Sequence, residues 1–171
     1  MIIPDFEIAR LCKAGMVTPF DPDLVGAASL DIRLGDTLLM ESVSSPEAWC
    51  PYSLKQHSQE KPYLMKPGQF LLADSLEVFN IPTHLAPVFI LKSSRARERY
   101  DHAKAGFCDP GWHNSRLTME LKNNSQIWCI PLWPGMKIGQ MVFHQMAATP
   151  HRSYAVRGRY NNDTTVQESK G

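Results

Sequence analysis

Short apolar runs separated by turn residues recur along most of this sequence, and this rhythm constrains the fold more than any other feature. After residue 60 such runs lie at Tyr63–Met65, Phe70–Ala73, Leu76–Phe79, Val88–Leu91, Trp128–Leu132 and Lys137–Phe143. Many short strands at near-regular spacing, with few helical segments between them, are typical of an all-β barrel or a double-sheet roll. We therefore predict a mainly β chain with one of these two architectures.

The segment before residue 62 predicts two strands and a long loop. Apolar and polar residues alternate over Leu30–Leu34, and Gly35 with Asp36 predicts a turn into a second strand, Thr37–Glu41. The stretch Ser42–Lys61 is polar and broken by two prolines, so we interpret it as a surface loop.

Two short helices are expected among the strands. Near the N terminus, Asp5 predicts the cap of a helix over Phe6–Ala14, which Gly15 ends. The second helix, near residues 93–99, begins at a serine and contains three arginines. A serine cap beside positive charge predicts an anion site, although a solvated helix with internal Arg–Glu pairs explains the same residues.

Length and charge limit the domain organisation and the partners. The 171 residues suit a single domain. We assign residues 1–150 to one β domain, and residues 151–171, which lack periodicity, to a mobile C-terminal tail. The formal net charge of +1 argues against bulk electrostatic attachment to nucleic acid or to an anionic membrane.

Cysteine usage and hydropathy indicate the compartment. The four cysteines are scattered without a CxxC pair, which predicts neither a zinc framework nor a disulfide set. The first residues carry no apolar run after a basic start, and no stretch is long enough to span a membrane. We therefore expect a cytoplasmic protein with reduced thiols.

The strand predicted at Arg116–Lys122 carries an acid in its middle. Leu117, Met119 and Leu121 form one face of this strand, and the polar residues between them form the other. Glutamate is depleted in strands, so Glu120 either faces solvent or has a chemical role.

Five motifs carry a resemblance to a known family. They are ASLDIRLG at 28–35, KSSRAR at 92–97, AGFCDPGW at 105–112, LTMELKN at 117–123 and LWPGMKIGQ at 132–140. In this order they resemble the deoxycytidine triphosphate (dCTP) deaminase family, the relatives of the trimeric dUTPases. The resemblance implies a dUTPase-like β fold and a homotrimer whose active sites are shared between subunits. It also implies a Mg²⁺-bound nucleotide substrate, dCTP or dUTP, and no zinc.

The same resemblance implies catalytic roles for four residues. Glu120 matches the family's catalytic glutamate. Ser93 matches the serine that helps to hold the attacking water, and Ala105 matches the residue whose backbone carbonyl does the same. Arg97 matches the arginine that steadies the water site and the phosphates.

Further nucleotide contacts are implied along the motifs and in the tail. Asp109 matches the aspartate near the deoxyribose, and Thr118 and Met119 flank the base pocket. The basic motif adds Lys92 and Ser94. The tail is expected to close over the bound nucleotide with Tyr154, Arg159, Tyr160, Gln167 and Lys170.

Two positions depart from the family pattern. Lys92 stands where the family usually has arginine, so a point charge replaces a bidentate fork. Asp163 occupies the tail position where the family usually has glutamine, and a carboxylate is unfavourable beside phosphates. Gln167 and Lys170 are the expected substitutes.

The chemistry of cytosine deamination explains why a glutamate is needed. Attack at C4 requires an activated water, a proton on ring N3 and a proton for the departing amine. Zinc deaminases activate the water with a metal held by an H-x-E and P-C-x-x-C signature, which this sequence lacks. A carboxylate such as Glu120 can act first as base and then as acid. We therefore expect a zinc-independent reaction, with Mg²⁺ held mainly by the triphosphate and no metal ligands in the protein.

Three functions remain open. The expected one is deamination of dCTP to dUTP and ammonia. The second is a bifunctional enzyme that forms dUMP, or a dUTP diphosphatase, because Ala105–Phe107 resembles the bifunctional members and Asp109 can activate a water for phosphate hydrolysis. The third is a non-catalytic nucleotide-binding trimer that acts as a sensor.

Structural roles are expected for the remaining aromatic and histidine side chains. Tryptophan is buried in cores more often than it stacks on a base, so we place Trp112 and Trp133 in the core. His102, His113 and His144 lack metal-ligand spacing and are predicted to be structural or exposed.

Overall fold

The computed structural model of the chain describes residues 1–45 and 48–171, and strands make up most of its regular structure. In chain order the elements are α1 (Asp5–Lys13), β1 (Val17–Thr18), a 3₁₀ helix (Pro22–Leu24), β2 (Leu30–Glu41), β3 (Trp49–Ser53), β4 (Tyr63–Met65), β5 (Phe70–Phe79), β6 (Leu85–Leu91), α2 (Ser93–Arg97), β7 (Tyr100–His102), β8 (Ser115–Asn123), β9 (Ile130–Leu132), β10 (Lys137–Gln145) and α3 (Tyr154–Arg157). This order confirms the mainly β prediction and both short helices.

One antiparallel sheet forms the body of the protein. Its strand order is β6-β10-β2-β5-β8-β7, with β3 added to β2 and β1 to β5, while β4 and β9 form a separate ribbon. The end strands β6 and β7 also pack together, with the rings of Phe89 and His102 centred 4.9 Å apart. The sheet therefore curls into a nearly closed barrel. Its interior holds fully buried side chains such as Phe79, Phe143 and Leu71, each worth about 1.5–3 kcal/mol of transfer free energy.

The predicted turn at Gly35 is wrong, because the two strands on either side of it form the single strand β2. The register of β2 against β5 shifts between Leu34 and Leu38, which marks a bulge. A Cβ on Gly35 would lie 2.1 Å from Asp74 Oδ1, so only glycine allows this carboxylate to approach. The Thr37 backbone N–H donates to the same oxygen at 3.2 Å.

The predicted loop over residues 42–61 contains a strand. β3 lies in its middle and pairs antiparallel with the end of β2, from Thr37 opposite Ser53 to Glu41 opposite Trp49. Pro46 and Glu47, also in that predicted loop, lie outside the described residues. A continuous β5 likewise replaces the two short runs predicted for its residues.

Both helix starts differ from the predicted caps. The N-cap position of α1 is Pro4 and Asp5 is the first helical residue, while Lys92 is the N-cap position of α2 and Ser93 its first residue. No side chain caps either helix. The expected stop of α1 is confirmed, since Gly15 has a φ of +98°.

Residues 151–171 pack against the β domain of the same chain. The short helix α3 lies in this tail, and near its end Val166 is 6% exposed against Leu39 and Leu72. The mobility of the tail stays a prediction. Within the described residues, no helix combines the length and apolar character needed to cross a membrane.

Candidate active site

A cavity of about 590 Å³ lies between strand β8, the segment that precedes it and the C-terminal tail. This volume is in the range of small-molecule sites. Its lining includes a large share of the site residues expected from the sequence: Ala105, Asp109, Thr118, Glu120, Tyr154, Tyr160 and Gln167.

Glu120 reaches the cavity because β8 alternates as predicted. Leu117, Met119 and Leu121 are buried in the barrel, which turns Glu120 to the opposite face. The Met119 side chain is therefore in the core and does not line the cavity. The Glu120 side chain is 26% exposed, and its Oε2 lies 3.2 Å from His102 Nε2.

The segment before β8 is held against β6 by a close backbone approach. The Phe89 N–H donates to the Gly106 carbonyl at 2.7 Å, and a Cβ on Gly106 would lie 2.1 Å from the Phe89 carbonyl oxygen. Glycine is therefore required here. After Asp109 the chain turns at Gly111, which has a φ of +90°. This path places both Ala105 and Asp109 at the cavity wall.

The tail forms the opposite wall through hydrogen bonds to the start of β8. The Tyr160 carbonyl accepts from Trp112 Nε1 at 2.9 Å and from Ser115 Oγ at 2.8 Å. Further along, the Gln167 N–H donates to Thr118 Oγ1 at 3.0 Å. These bonds place Tyr160 and Gln167 beside the strand that carries Glu120.

An ion pair inside the tail neutralises the unexpected aspartate. Lys170 Nζ lies 2.7 and 2.6 Å from the two carboxylate oxygens of Asp163, and it also donates to the Arg159 carbonyl at 3.0 Å. Asp163 lines the cavity, whereas Arg159 and Lys170 are exposed outside it. The carboxylate that is unfavourable beside phosphates thus comes with a cation of its own.

Arg116 is a cavity residue that the sequence analysis left unassigned. Its Nη1 lies 2.7 Å from Oδ2 of Asp74, which is fully buried, and its Nε is buried without a hydrogen bond among the described residues. Burial raises the pKa of the Asp74 carboxyl, and the Arg116 guanidinium opposes that rise. The alternation predicted for β8 already placed Arg116 on the same face as Glu120, and this pattern could have identified Arg116 as a cavity residue from the sequence.

Two aromatic cavity residues were also missed. Trp49 and Phe70 line the cavity with ring centroids 6.1 Å apart. Trp49 lies on β3, inside the segment predicted to be a loop, so no strand pattern pointed to it. Trp112 is 6% exposed and stacks on Phe79 at 5.3 Å, in agreement with its predicted core position, although its edge reaches the cavity.

The residues of the basic motif KSSRAR at 92–97 do not lie at the cavity of their own chain. Ser93, Ser94 and Arg97 are exposed on α2 and do not line the cavity. Lys92 Nζ forms an ion pair with Asp31, so in this chain its charge is already matched. Among residues 1–45 and 48–171, no cluster of His, Cys, Asp or Glu side chains could hold a metal ion. The absence of zinc from the reaction stays a prediction.

A family model described as dCTP deaminase-like matches residues 2–146. The chain belongs to this family. A curated relative from Corynebacterium efficiens, named dCTP deaminase, dUMP-forming, is 34% identical over all of this chain and 94% of its own length. A protein of the same name from Salinispora tropica is 34% identical over 90% of this chain and 84% of its own.

Two solved structures place the dCTP deaminase-like chain among dUTPase-like folds. The dCTP deaminase from Agrobacterium tumefaciens superposes with a TM-score of 0.69 at 19% identity, covering 84% of this chain and 48% of that one. This chain therefore spans about half the length of the Agrobacterium chain. The dUTPase from Streptococcus mutans gives a TM-score of 0.51 at 14% identity, over 77% of this chain and 92% of that one. At these identities the likeness concerns the fold alone.

Proposed function

We propose that this protein hydrolyses dCTP to dUMP, ammonia and pyrophosphate. The observation that carries the proposal is that Glu120 and Asp109 line one cavity, so a base for deamination and a base for phosphate hydrolysis face the same ligand. The relatives named dUMP-forming, which match over nearly all of their length, support dUMP as the product. The sequence alone favoured dUTP.

In the deamination step, Glu120 accepts a proton from the attacking water as oxygen bonds to C4 of the cytosine ring. This proton goes to ring N3. Glu120 then takes the proton of the hydroxyl now on C4 and passes it to the exocyclic amine, so that the C4 carbonyl forms as the C4–N bond breaks and ammonia leaves. The carbonyl of Ala105, at the same wall, orients the water. Glu120 ends the step ionised as it began, so one water is consumed and dUTP remains for the second step.

In the second step, Asp109 accepts a proton from another water, which attacks the α-phosphorus. The bond from the α-phosphorus to the bridging oxygen breaks and pyrophosphate leaves. Negative charge develops on the phosphate oxygens, and the tail carries Arg159 and Lys170 to offset it. Lys170 is held beside Asp163 in this structure, so contact with phosphate would require it to exchange one anion for another.

The remaining expected residues are proposed to act on the active site of a second subunit. Ser93 and Arg97 are exposed on α2 and lie outside the cavity of their own chain, which leaves them available to a neighbour. Two exposed apolar side chains lie on or beside β6, the strand that leads into α2. Ile90, 42% exposed, is on β6, and Phe107, 64% exposed, bridges to Val88 of β6 and also lines the cavity. A homotrimer would then join Ser93 and Arg97 of one subunit to Glu120 of the next.

Magnesium enters as part of the nucleotide substrate. A Mg²⁺ ion on the triphosphate needs few protein ligands. Asp109 and Glu168 are cavity carboxylates for which no ion pair is found among the described residues, and of the two we propose that Asp109 contacts a metal-bound water. The ion would lower the charge of the leaving pyrophosphate.

The test is a product analysis with purified protein and Mg²⁺. We expect dCTP to give ammonia and pyrophosphate in equal amounts with dUMP, and CTP to react poorly. Ammonia with dUTP and no pyrophosphate would identify a strict deaminase. Pyrophosphate from dUTP without ammonia from dCTP would identify a dUTP diphosphatase, and binding without turnover would favour a sensor.

A further inference from the structure

His102 is a buried histidine whose ring faces the candidate catalytic carboxylate. The residue is 6% exposed, and its Nε2 lies 3.2 Å from Oε2 of Glu120. Both atoms are buried, and neither has a well-aligned hydrogen-bond partner among the described residues. Two polar atoms buried against each other, each without another partner, are expected to bond to one another.

The surrounding structure fixes the ring relative to Glu120. Strand β7 pairs with the end of β8, which sets His102 opposite Leu121, and the Ala103 N–H donates to the Glu120 carbonyl at 3.2 Å. On the other side, the Phe89 ring contacts the imidazole at an interplanar angle of 68°. The histidine is thus held from β6, β7 and β8 at once.

We propose that His102 is a positioning residue for Glu120. In this arrangement the imidazole donates its Nε2–H to Glu120 Oε2, which fixes the carboxylate and leaves the other oxygen to exchange protons with water and substrate. The proton of His102 is not transferred, so the deamination stoichiometry is unchanged. This inference rests on the proposed role of Glu120 as proton shuttle.

The geometry supports an indirect role. His102 does not line the cavity, so it can influence a bound nucleotide only through Glu120. The separation of 3.2 Å is within hydrogen-bond reach although the alignment is poor, and catalytic hydrogen bonds often tighten only when substrate is bound. A strand acid otherwise has several rotamers, and holding one of them raises the rate through orientation.

Three substitutions separate positioning from packing. Gln places its amide nitrogen near the position of Nε2 and keeps the donor. Asn is equally polar but too short to reach Glu120, and Leu fills the space without a donor. For each variant we would measure kcat and KM for ammonia release from dCTP, pyrophosphate release from dUTP, and Tm.

His102→Leu and His102→Asn should lower kcat for ammonia release by about a hundredfold with little change in KM, the size expected when a catalytic group loses its orientation. His102→Gln should stay within roughly threefold to tenfold of the parent, because the bond to the carboxylate is kept. Pyrophosphate release from dUTP should be nearly unchanged in all three, since it depends on Asp109. If His102→Leu does not fold, the comparison of His102→Gln with His102→Asn still separates positioning of Glu120 from packing.

Equal losses in the Gln and Asn variants, or losses of both reactions in parallel with Tm, would overturn positioning in favour of a structural role. If the parent enzyme releases no ammonia, the proposed deamination is refuted, and kinetics can no longer test the role of His102. The hydrogen bond between His102 and Glu120 is then tested by a measurement that needs no turnover. In ¹⁵N-labelled protein, Glu120→Gln should shift the His102 Nε2–H resonance and leave His113, which bonds the Gly111 carbonyl, unmoved. An unshifted His102 resonance would show that no bond to Glu120 exists.

Discussion

Glu120 illustrates how a residue that is unfavourable in its local element can be explained by its surroundings. On a strand it is a poor choice. In the folded chain it faces a cavity, with an aspartate at the same wall and a buried histidine behind it. Its neighbours on the strand bury their side chains in the barrel, so Glu120 can be changed with little effect on the core.

Glu120→Gln should keep the fold and lose the deamination. The amide has nearly the same size but cannot accept a proton from water, and the loss of general base catalysis typically lowers rates by roughly a hundred- to ten-thousand-fold. Because the same group protonates the leaving amine, we expect the upper end of that range. Calorimetry should show dCTP still bound. A variant that releases ammonia within about threefold of the parent would contradict the shuttle.

Asp109→Asn should separate the two steps. Without the carboxylate the second water loses its base, so pyrophosphate release should fall by about a hundredfold or more while ammonia release continues. Chromatography should then show dUTP accumulating from dCTP in place of dUMP. Equal loss of ammonia and pyrophosphate would indicate that Asp109 acts on binding or on deamination itself.

At the scale of elements, the C-terminal tail completes the cavity. The Tyr160 carbonyl accepts a hydrogen bond from Ser115 and the Gln167 N–H donates one to Thr118, which attaches the tail to β8. Val166 packs in an apolar cluster with Leu39 and Leu72. Val166 lies among exposed residues yet is itself buried, which identifies it as the apolar anchor of the tail.

Val166→Ser should weaken the docking of the tail. The change removes apolar surface from a buried site and adds a hydroxyl, at about 1–2 kcal/mol. That energy corresponds to roughly a 5- to 30-fold change in an equilibrium, so KM for dCTP should rise by up to that factor. Limited proteolysis of the tail should accelerate in parallel.

The matched control is Val156→Ser, the same substitution in the same tail at a side chain that is 78% exposed. It should leave both KM and the cleavage rate near those of the parent. Equal behaviour of the two serine variants would refute an anchoring role for Val166.

At the scale of the whole molecule, Ser93 and Arg97 lie on α2, outside the cavity of their own chain. If they take part in catalysis, they must do so at the cavity of a second subunit. Light scattering should give a mass near three times the 19.3 kDa of one chain. Glu120→Gln and Arg97→Ala trimers should each be inactive. After exchange of subunits in an equal mixture, about a quarter of the sites should combine an intact Glu120 with an intact Arg97 and recover activity. No recovery despite demonstrated exchange would place the whole site within one chain.

The metal requirement also belongs to this scale. A zinc-selective chelator should leave ammonia release unchanged, whereas removal of Mg²⁺ should weaken the use of the triphosphate. Metal analysis of the purified protein should find no stoichiometric transition metal. Activity that disappears with zinc and returns when zinc is added back would contradict a glutamate-based mechanism.

The sequence by itself determined the fold class, the two helices and the alternation of β8, because these follow from local periodicity and turn chemistry. The motif resemblance, which the family match supports, also placed Glu120, Ala105 and Asp109 on segments that do line one cavity. These features depend on residues close together in the chain.

Only the tertiary structure decided the features that depend on residues far apart. Gly35 lies in a bulge of β2, where Asp74 from another strand approaches it closely. Trp49 lies on a strand because β2 offers an edge with which β3 can pair. His102 meets Glu120 through the pairing of β7 with β8, whereas Arg97 is exposed on α2 and does not line the cavity that holds Glu120. Strand pairing brings together side chains whose separation along the chain carries no local signal.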